Sequence, residues 1–264
     1  MDELLLEIAR CPVLAGVLDD RADVPRQPCA PVALTQWGGL SPEDRRKRWR
    51  RVHQVPEPWV GHLREAPLLF VSSNPSIGGE ISENVDDPAP GLTWKHSDKT
   101  LLERYEEAFD RFIVDGIRHH TETTNVRYWV EVRSRARELM RGRSPKPGHD
   151  YALTEVVHCK SRDEKGVPAA LGTCSRLYLD RTILASGARV VIFLGIHAEK
   201  AAWDTVRIPD RVGIKRDQHV LRCRLGKRKR LAGFLPHTNY RGLRTPRACW
   251  HPDELEVVRR ELAT

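Results

Sequence analysis

RVVIFLG, residues 189–195, holds five consecutive apolar residues between a charged residue and a glycine. The run has the length of a strand, Val190, Val191 and Ile192 are β-branched, and no polar residue alternates with them. That pattern fits a strand covered on both faces, as in a parallel sheet flanked by helices. On either side of it, strands are expected at PLLFVS (67–72), at YALTEVVHC (151–159) and in two runs within 219–236 around the basic turn GKRKR. Helical spacing separates them. Ser97 caps a helix whose Leu101, Leu102, Tyr105, Phe109, Phe112 and Ile113 share one face. Residues 127–141 predict a helix with a basic outer side, and residues 174–186 one with Leu177, Leu179, Ile183 and Leu184 inward. A last helix is expected to start near Pro252. Strands alternating with helices imply βαβ units. The expected fold class is α/β: a three-layer α/β/α sandwich with a central, mainly parallel, four-stranded sheet.

A chain of 264 residues can bury a full core. The first 60 residues are rich in loop-forming residues, with Pro25, Pro28, Pro31, Gly38 and Gly39 breaking any long element, and a basic helix opens at Ser41. The expected division is an N-terminal helical and loop extension, 1–60, packed on a core domain, 61–264, as one compact unit. Residues 75–96 form a long Gly/Pro/Asp-rich loop over the end of the first strand, and such loops are often functional. Lys and Arg exceed Asp and Glu by 44 − 36 = +8, a balance that favours an acidic polymer such as nucleic acid. No apolar run of about 18 residues predicts a membrane span. The N-terminus MDELLLEIARCPVL is acidic and unlike a secretory signal, so a cytoplasmic location is expected.

In an open parallel sheet, ligands bind outside the carboxyl ends of the strands. Four expected strand ends carry Asn74, Glu155, Gly195 and His237. The segments around them are SSNPS, LTEVVHCK, VVIFLG and LPHTNYRG. In that order they resemble the motifs of the uracil-DNA glycosylase superfamily, over roughly residues 64–242, with the iron–sulfur branches closest. Asn74-Pro75 is similar to the Asn-Pro form of the first active-site motif, and His237 to the histidine of the second, here followed by Thr238-Asn239 in place of Pro-Ser. The resemblance implies a DNA glycosylase that flips a base and hydrolyses its N-glycosidic bond, leaving an abasic site. Asn74 would orient a water and His237 would stabilise the leaving base at O2. Ser73 and Asn239, beside them, join the base-binding set, and Trp94 in the long loop is a candidate to stack on the extruded base.

Glu155 departs from the family pattern, in which an asparagine reads uracil. An ionised carboxylate only accepts hydrogen bonds and suits the exocyclic amino group of cytosine; a protonated one also donates to N3. The expected substrate is therefore a modified cytosine, such as hydroxymethylcytosine or its glucosylated form in phage DNA, as for bacterial anti-phage members of the superfamily. Uracil excision stays open, as does a helix cap or an arginine pair for Glu155. A binding protein without catalysis on the same scaffold is the alternative of another class. Asp86, Asp87 and Glu80 in the long loop are reserve candidates for a general base. No Schiff-base lysine stands among the motif residues, so lyase activity is not expected.

Cys159 and Cys174 resemble the C-terminal ligand pair of the iron–sulfur branches, with Cys11 and Cys29 as the N-terminal partners of a [4Fe–4S] cluster. The 17 residues between Cys11 and Cys29 depart from the tight spacing the family often uses. Zinc, or no metal, remains the alternative; Cys223 and Cys249 are not expected to be ligands. DNA contacts are expected from Lys227, Arg228, Lys229 and Arg230, from Tyr240 and Arg241 where related enzymes carry a wedging side chain, and from the 45–51 cluster. The expected partner is DNA, including modified phage DNA, bound by a monomer in a bacterial cytoplasm.

Overall fold

The computed structural model describes residues 1–19, 27–37, 43, 47, 49–50, 53–75, 92–106, 113–119, 124–161, 163–204, 206, 218–225, 228–238, 240, 242 and 244–264. Helices α1 (Asp2–Ala9), α2 (Pro12–Leu18) and α3 (Ala30–Leu34) precede strands β1 (Trp59–Val60) and β2 (Leu68–Ser72). Helix α4 (Asp98–Glu106), the short strands β3 (Ile113–Val114) and β4 (Arg118–His119), and α5 (Arg127–Leu139) lead to β5 (Tyr151–Glu155). Helix α6 (Val167–Cys174) runs through a π-helical turn, Ser175–Leu179, into α7 (Asp180–Ala185). Strand β6 (Val190–Leu194), α8 (Ile196–Asp204), β7 (Val220–Leu225), β8 (Arg228–Leu235), α9 (Pro246–Cys249) and α10 (Pro252–Ala263) complete the order.

The fold is α/β, with one mixed sheet in the order β1-β5-β2-β6-β8-β7. Its centre, β5-β2-β6-β8, is parallel. The expected four strands are this centre; β1 and β7 add antiparallel edges, giving six. Strand β1 escapes the sequence because two residues carry no periodicity, and β7 folds back on β8 as a hairpin across the basic turn. Even and odd residues of each central strand face opposite ways. Leu69, Val71, Val191, Phe193 and Ala232 enter one cluster with α1–α3 and α6–α8. Leu68, Phe70, Leu153, Ile192 and Leu231 enter a second with α5 and α10. The sheet is thus the middle of three layers, and the N-terminal helices share the core of the rest.

Several boundaries differ from expectation. The first 18 residues, read as loop-rich, form two helices, because Pro12 sits at the first turn of α2, where its missing N–H costs nothing. Ser97 does cap α4, accepting from Thr100 N at 3.2 Å, but Ile113 lies in β3, outside that helix. Strand β5 stops at Glu155. Leu177 and Leu184 point outward while Leu179 and Ile183 are fully buried, since the π turn adds a residue and rotates the face. The last helix starts at Pro252 with a reciprocal cap: His251 accepts from Asp253 N, and Glu254 accepts from His251 N. Glu254 Oε1 also accepts from His219 N and Val220 N, which ties α10 to the edge of the sheet. No helix among the described residues is long and apolar enough to cross a membrane.

Candidate active site at the carboxyl edge of the sheet

The strand order fixes where a site can form. Chain order enters the parallel centre at β2, steps to β5 on one side, then to β6 and β8 on the other. The crevice at that reversal, outside the carboxyl ends, is the site an open α/β sheet provides. Asn74 follows β2, Glu155 ends β5, Gly195 follows β6 and His237 follows β8. All four expected positions therefore share one edge.

Ser72 and Glu155 are register partners in the β2–β5 pair, and both point to the face that carries α5. Ser72 Oγ donates to Glu155 Oε2, and Tyr128 from the first turn of α5 donates its hydroxyl to Ser72 Oγ at 3.0 Å. Burial pushes the Glu155 carboxyl up to about 8; the hydrogen bond from Ser72 opposes the shift without cancelling it, and the Glu57 carboxylate adds to it. At neutral pH the acid form dominates, so Glu155 can donate as well as accept. Among the described residues it caps no helix and pairs with no arginine. The same burial, with Glu155 nearby, holds the Tyr128 phenol well above its ordinary range, so it stays a donor.

The Tyr128 ring also stacks near the His237 imidazole, centroids 6.4 Å apart at 25°. Partial burial lowers the His237 pKa; Glu164 opposes that shift, and Arg135 and His197 add to it. His237 is then a neutral imidazole at pH 7. Gly195 makes its position available. With φ at +86°, a side chain there would place Cβ 3.0 Å from His237 Cβ, while Gly195 N donates to Leu235 O at 2.8 Å. Asn74 Nδ2 donates to Pro75 O at 2.8 Å and Ser161 Oγ at 2.9 Å, so the amide is fixed by its donor end. Its Oδ1 accepts no hydrogen bond among the described residues and is left for water.

Other expected residues stand elsewhere. Ser73 is buried and donates to Glu164, which makes it a support for that carboxylate rather than a contact for the base. Trp94 is buried edge-on against Trp49, centroids 5.1 Å apart, beneath Arg10. That packing accounts for the ring without a stacked base. The described residues of the basic turn, Arg228 to Arg230, lie away from this edge. Strand β8 starts at Arg228 and ends beside His237, so the turn lies at the amino edge, eight residues or about 26 Å away. Arg230 is also turned inward, donating to Ser186 Oγ at 2.7 Å and Ser186 O at 3.0 Å, and burial lowers its pKa to about 10. Lys229 and Arg228 are exposed at that same distant edge. Tyr240 is 56% exposed at the site edge. Lys227, Asn239, Arg241, the loop 76–91 with Glu80, Asp86 and Asp87, and most of the 45–51 cluster lie outside the described residues.

Three site features were not anticipated. Arg135 of α5 is 1% exposed, and none of its guanidinium nitrogens has a hydrogen-bond partner among the described residues. Burial lowers its pKa, with Glu131 opposing the shift. Arg244 pairs with Glu131 at 3.0 Å and donates to Thr238 O at 3.1 Å, pinning the loop after His237 onto α5. Ile196, immediately after Gly195, is 76% exposed, and with Tyr240 it is one of the two most exposed large apolar residues described.

Cys11, Cys29, Cys159 and Cys174 are all buried; the first two immediately precede α2 and α3, and the others lie after β5 and at the end of α6. Burial raises the Cys159 thiol far above its ordinary range, and Cys11, Cys174 and Cys29 add to it, which puts the four sulfurs in one neighbourhood. Cys29 is pushed up to about 12 by burial and by Cys11. Among the described residues no three His, Cys, Asp or Glu side chains form a ready site for a single metal ion. Cys223 and Cys249 stand apart; Cys223 Sγ donates to Arg230 O at 3.7 Å.

The chain matches no protein-family model, and no curated protein matches it in sequence.

Proposed function

We propose that the chain is a monofunctional DNA glycosylase of the uracil-DNA glycosylase superfamily, acting on a flipped-out modified cytosine such as hydroxymethylcytosine or its glucosylated form. One observation carries the reading. A buried glutamate with its pKa near 8 stands on one side of the crevice, and a neutral histidine stands on the other, linked by Tyr128 and Ser72. A protonated carboxyl presents a donor and an acceptor side by side, which matches N3 and the N4 amino group of cytosine. Uracil offers the opposite pattern, which the same acid meets with its proton on the other oxygen, so base release has to be compared between the two.

Hydrolysis of the N-glycosidic bond builds positive charge on the sugar and negative charge on the base. His237 meets the developing charge at O2 through a ring N–H, and Asn74 Oδ1 orients the water. Tyr240 and Ile196 supply exposed apolar surface at the same edge, where a wedge offsets the few kcal/mol of base flipping. We further propose that Cys11, Cys29, Cys159 and Cys174 hold a [4Fe–4S] cluster. Four buried thiols from four segments fit such a group, and a cluster spreads its ligand sulfurs farther apart than a single ion does. When bound it supplies a structural cross-link between the N-terminal helices and the end of β5; the chemistry at the base needs only side chains. The chain would act as a monomer on phage DNA in a bacterial cytoplasm.

Mass spectrometry of bases released from DNA containing uracil, cytosine, hydroxymethylcytosine or glucosylated hydroxymethylcytosine tests the reading. Release of a modified cytosine alone is expected. Release of uracil alone would remove the role given to Glu155, and tight binding with no release at all would favour a non-catalytic protein.

A further inference from the structure

We propose that Glu164 is the general base of this site, taking a proton from the attacking water; this rests on the glycosylase reading above. The segment from Ser161 to Gly166 crosses the exit of β2. At its start, Ser161 Oγ accepts from Asn74 Nδ2 at 2.9 Å and Ser161 N donates to Pro75 O at 3.2 Å. Three residues later, Glu164 Oε1 accepts from Ser73 Oγ. One segment thus fixes the amide that orients the water and sets a carboxylate on the residue beside that amide. Glu164 is exposed, and its charge is felt by His237 across the sheet end. The carboxylate therefore sits beside the residue that carries the water-holding amide.

The backbone there is strained. Asp163 and Glu164 both adopt left-handed conformations, φ 52° and 57°, and neither is glycine. Each such residue costs on the order of 1–2 kcal/mol, and such strain concentrates at functional sites. The turn is held from below. A Cβ on Gly166 (φ +79°) would lie 2.4 Å from Val32 N and 2.5 Å from Pro31 C, so the turn abuts the start of α3 directly. Cys29 immediately precedes that helix. The cysteine-bearing N-terminal segment is thereby the platform on which Glu164 rests.

Two glutamates then divide the work by environment. Buried Glu155 reads the base, and exposed Glu164 meets water. In the step, the carboxylate takes one proton of the water while its oxygen bonds to C1′ of the deoxyribose. The bond from C1′ to N1 breaks, its electron pair leaves with the base, and the base gains a proton from solvent. The water's OH ends on the sugar and its other hydrogen returns through Glu164 to solvent. The titratable groups near Glu164 among the described residues are His237, His197 beside it, and Asp163 and Lys165 on its own turn.

The test is single-turnover base release by the full chain from oligonucleotides carrying glucosylated hydroxymethylcytosine, hydroxymethylcytosine or uracil. Glu164→Gln should lose about 10²-fold or more in rate with DNA binding and melting temperature kept, and the acid limb of its pH–rate profile should flatten. Glu164→Ala should be rescued in part by added formate, which replaces a missing base and not a missing structural contact. A Glu164→Gln rate within threefold of wild type, an unchanged acid limb, or no response of Glu164→Ala to formate overturns the assignment while leaving the glycosylase reading intact. If the wild-type chain releases none of the three bases, both fall.

Discussion

Ser72 and Glu155 lie side by side as the last residues of two adjacent parallel strands, and the serine hydroxyl donates to the glutamate carboxyl. The sheet register creates this pair. It gives the carboxyl a fixed orientation and hydrogen bonds from Ser72, and the Lys160 charge opposes the shift without cancelling it. Burial therefore dominates and the pKa rises to about 8.

The sign of that shift gives the first prediction. The folded protein holds the Glu155 proton more tightly than the unfolded chain, so stability falls as pH rises from the ordinary glutamate range to about 8, then levels. Glu155→Gln, which cannot ionise, should gain stability over wild type across that interval, by on the order of a few kcal/mol at pH 9. Urea melts at pH 5, 7 and 9 measure it. Glutamine also presents a donor beside an acceptor, so the variant should keep activity on modified cytosine and lose the alkaline limb centred near 8. Equal pH dependence of stability in the two proteins would refute the assignment.

His237 is the second test. Its lowered pKa makes it a neutral donor, so NMR of the imidazole nitrogens at pH 7 should show one protonated nitrogen. His237→Ala should lower base release by about 10²–10³-fold while leaving DNA affinity within a few-fold of wild type. A comparable loss of affinity would make His237 a binding residue.

Much of this arrangement was legible in the sequence, and the gaps have physical causes. The apolar runs gave β2, β5, β6 and β8, because strands buried on both faces contain little else. Their polar ends gave Asn74, Glu155 and His237. Arg135 reads as part of a basic outer face by composition, yet it falls in the spacing of Val132, Ala136 and Leu139, the buried stripe of α5. Periodicity held the signal that charge concealed. The basic residues Arg228 to Arg230 stand away from the site for a related reason: residues that open a parallel strand lie at the edge opposite to those following it. Glu164 left no trace, since a loop residue carries no periodicity and its partner Ser73 is 91 positions away.

Arg135 supplies a third prediction. A buried guanidinium with no hydrogen bond among the described residues is costly, and replacing it with a well-packed apolar residue is neutral or stabilising by about 1–4 kcal/mol. Arg135→Met should therefore raise the melting temperature of the free protein. Because Arg135 also helps keep His237 neutral, the variant should raise the His237 pKa, seen in the same NMR titration. A large loss of stability would show instead that the guanidinium has a partner in solution.

The cysteines divide into two groups with different expected behaviour. Cys159→Ser or Cys174→Ser in protein purified without oxygen should lose iron, visible absorbance and thermal stability together, since the cluster would join the N-terminal helices to the end of β5. Cys223→Ser should keep all the iron, because that thiol bonds the Arg230 carbonyl on another strand. Iron-free wild-type protein with an unchanged melting temperature would leave the four thiols as buried apolar packing.

Ile196 offers a test of how the crevice meets DNA. A 76% exposed isoleucine at the first turn of α8 has no packing role to lose, so Ile196→Ala should leave the stability within about 0.5 kcal/mol of wild type. If the side chain fills the stack vacated by the flipped base, the variant should lose base release from duplex DNA and little from single strands, where there is no stack to fill. Tyr240→Ala, three residues after His237, should show the same split if both flank one gap. Equal losses on single and double strands would place both residues against the base or backbone. Intact activity on both substrates would move the DNA path off this edge of the crevice altogether.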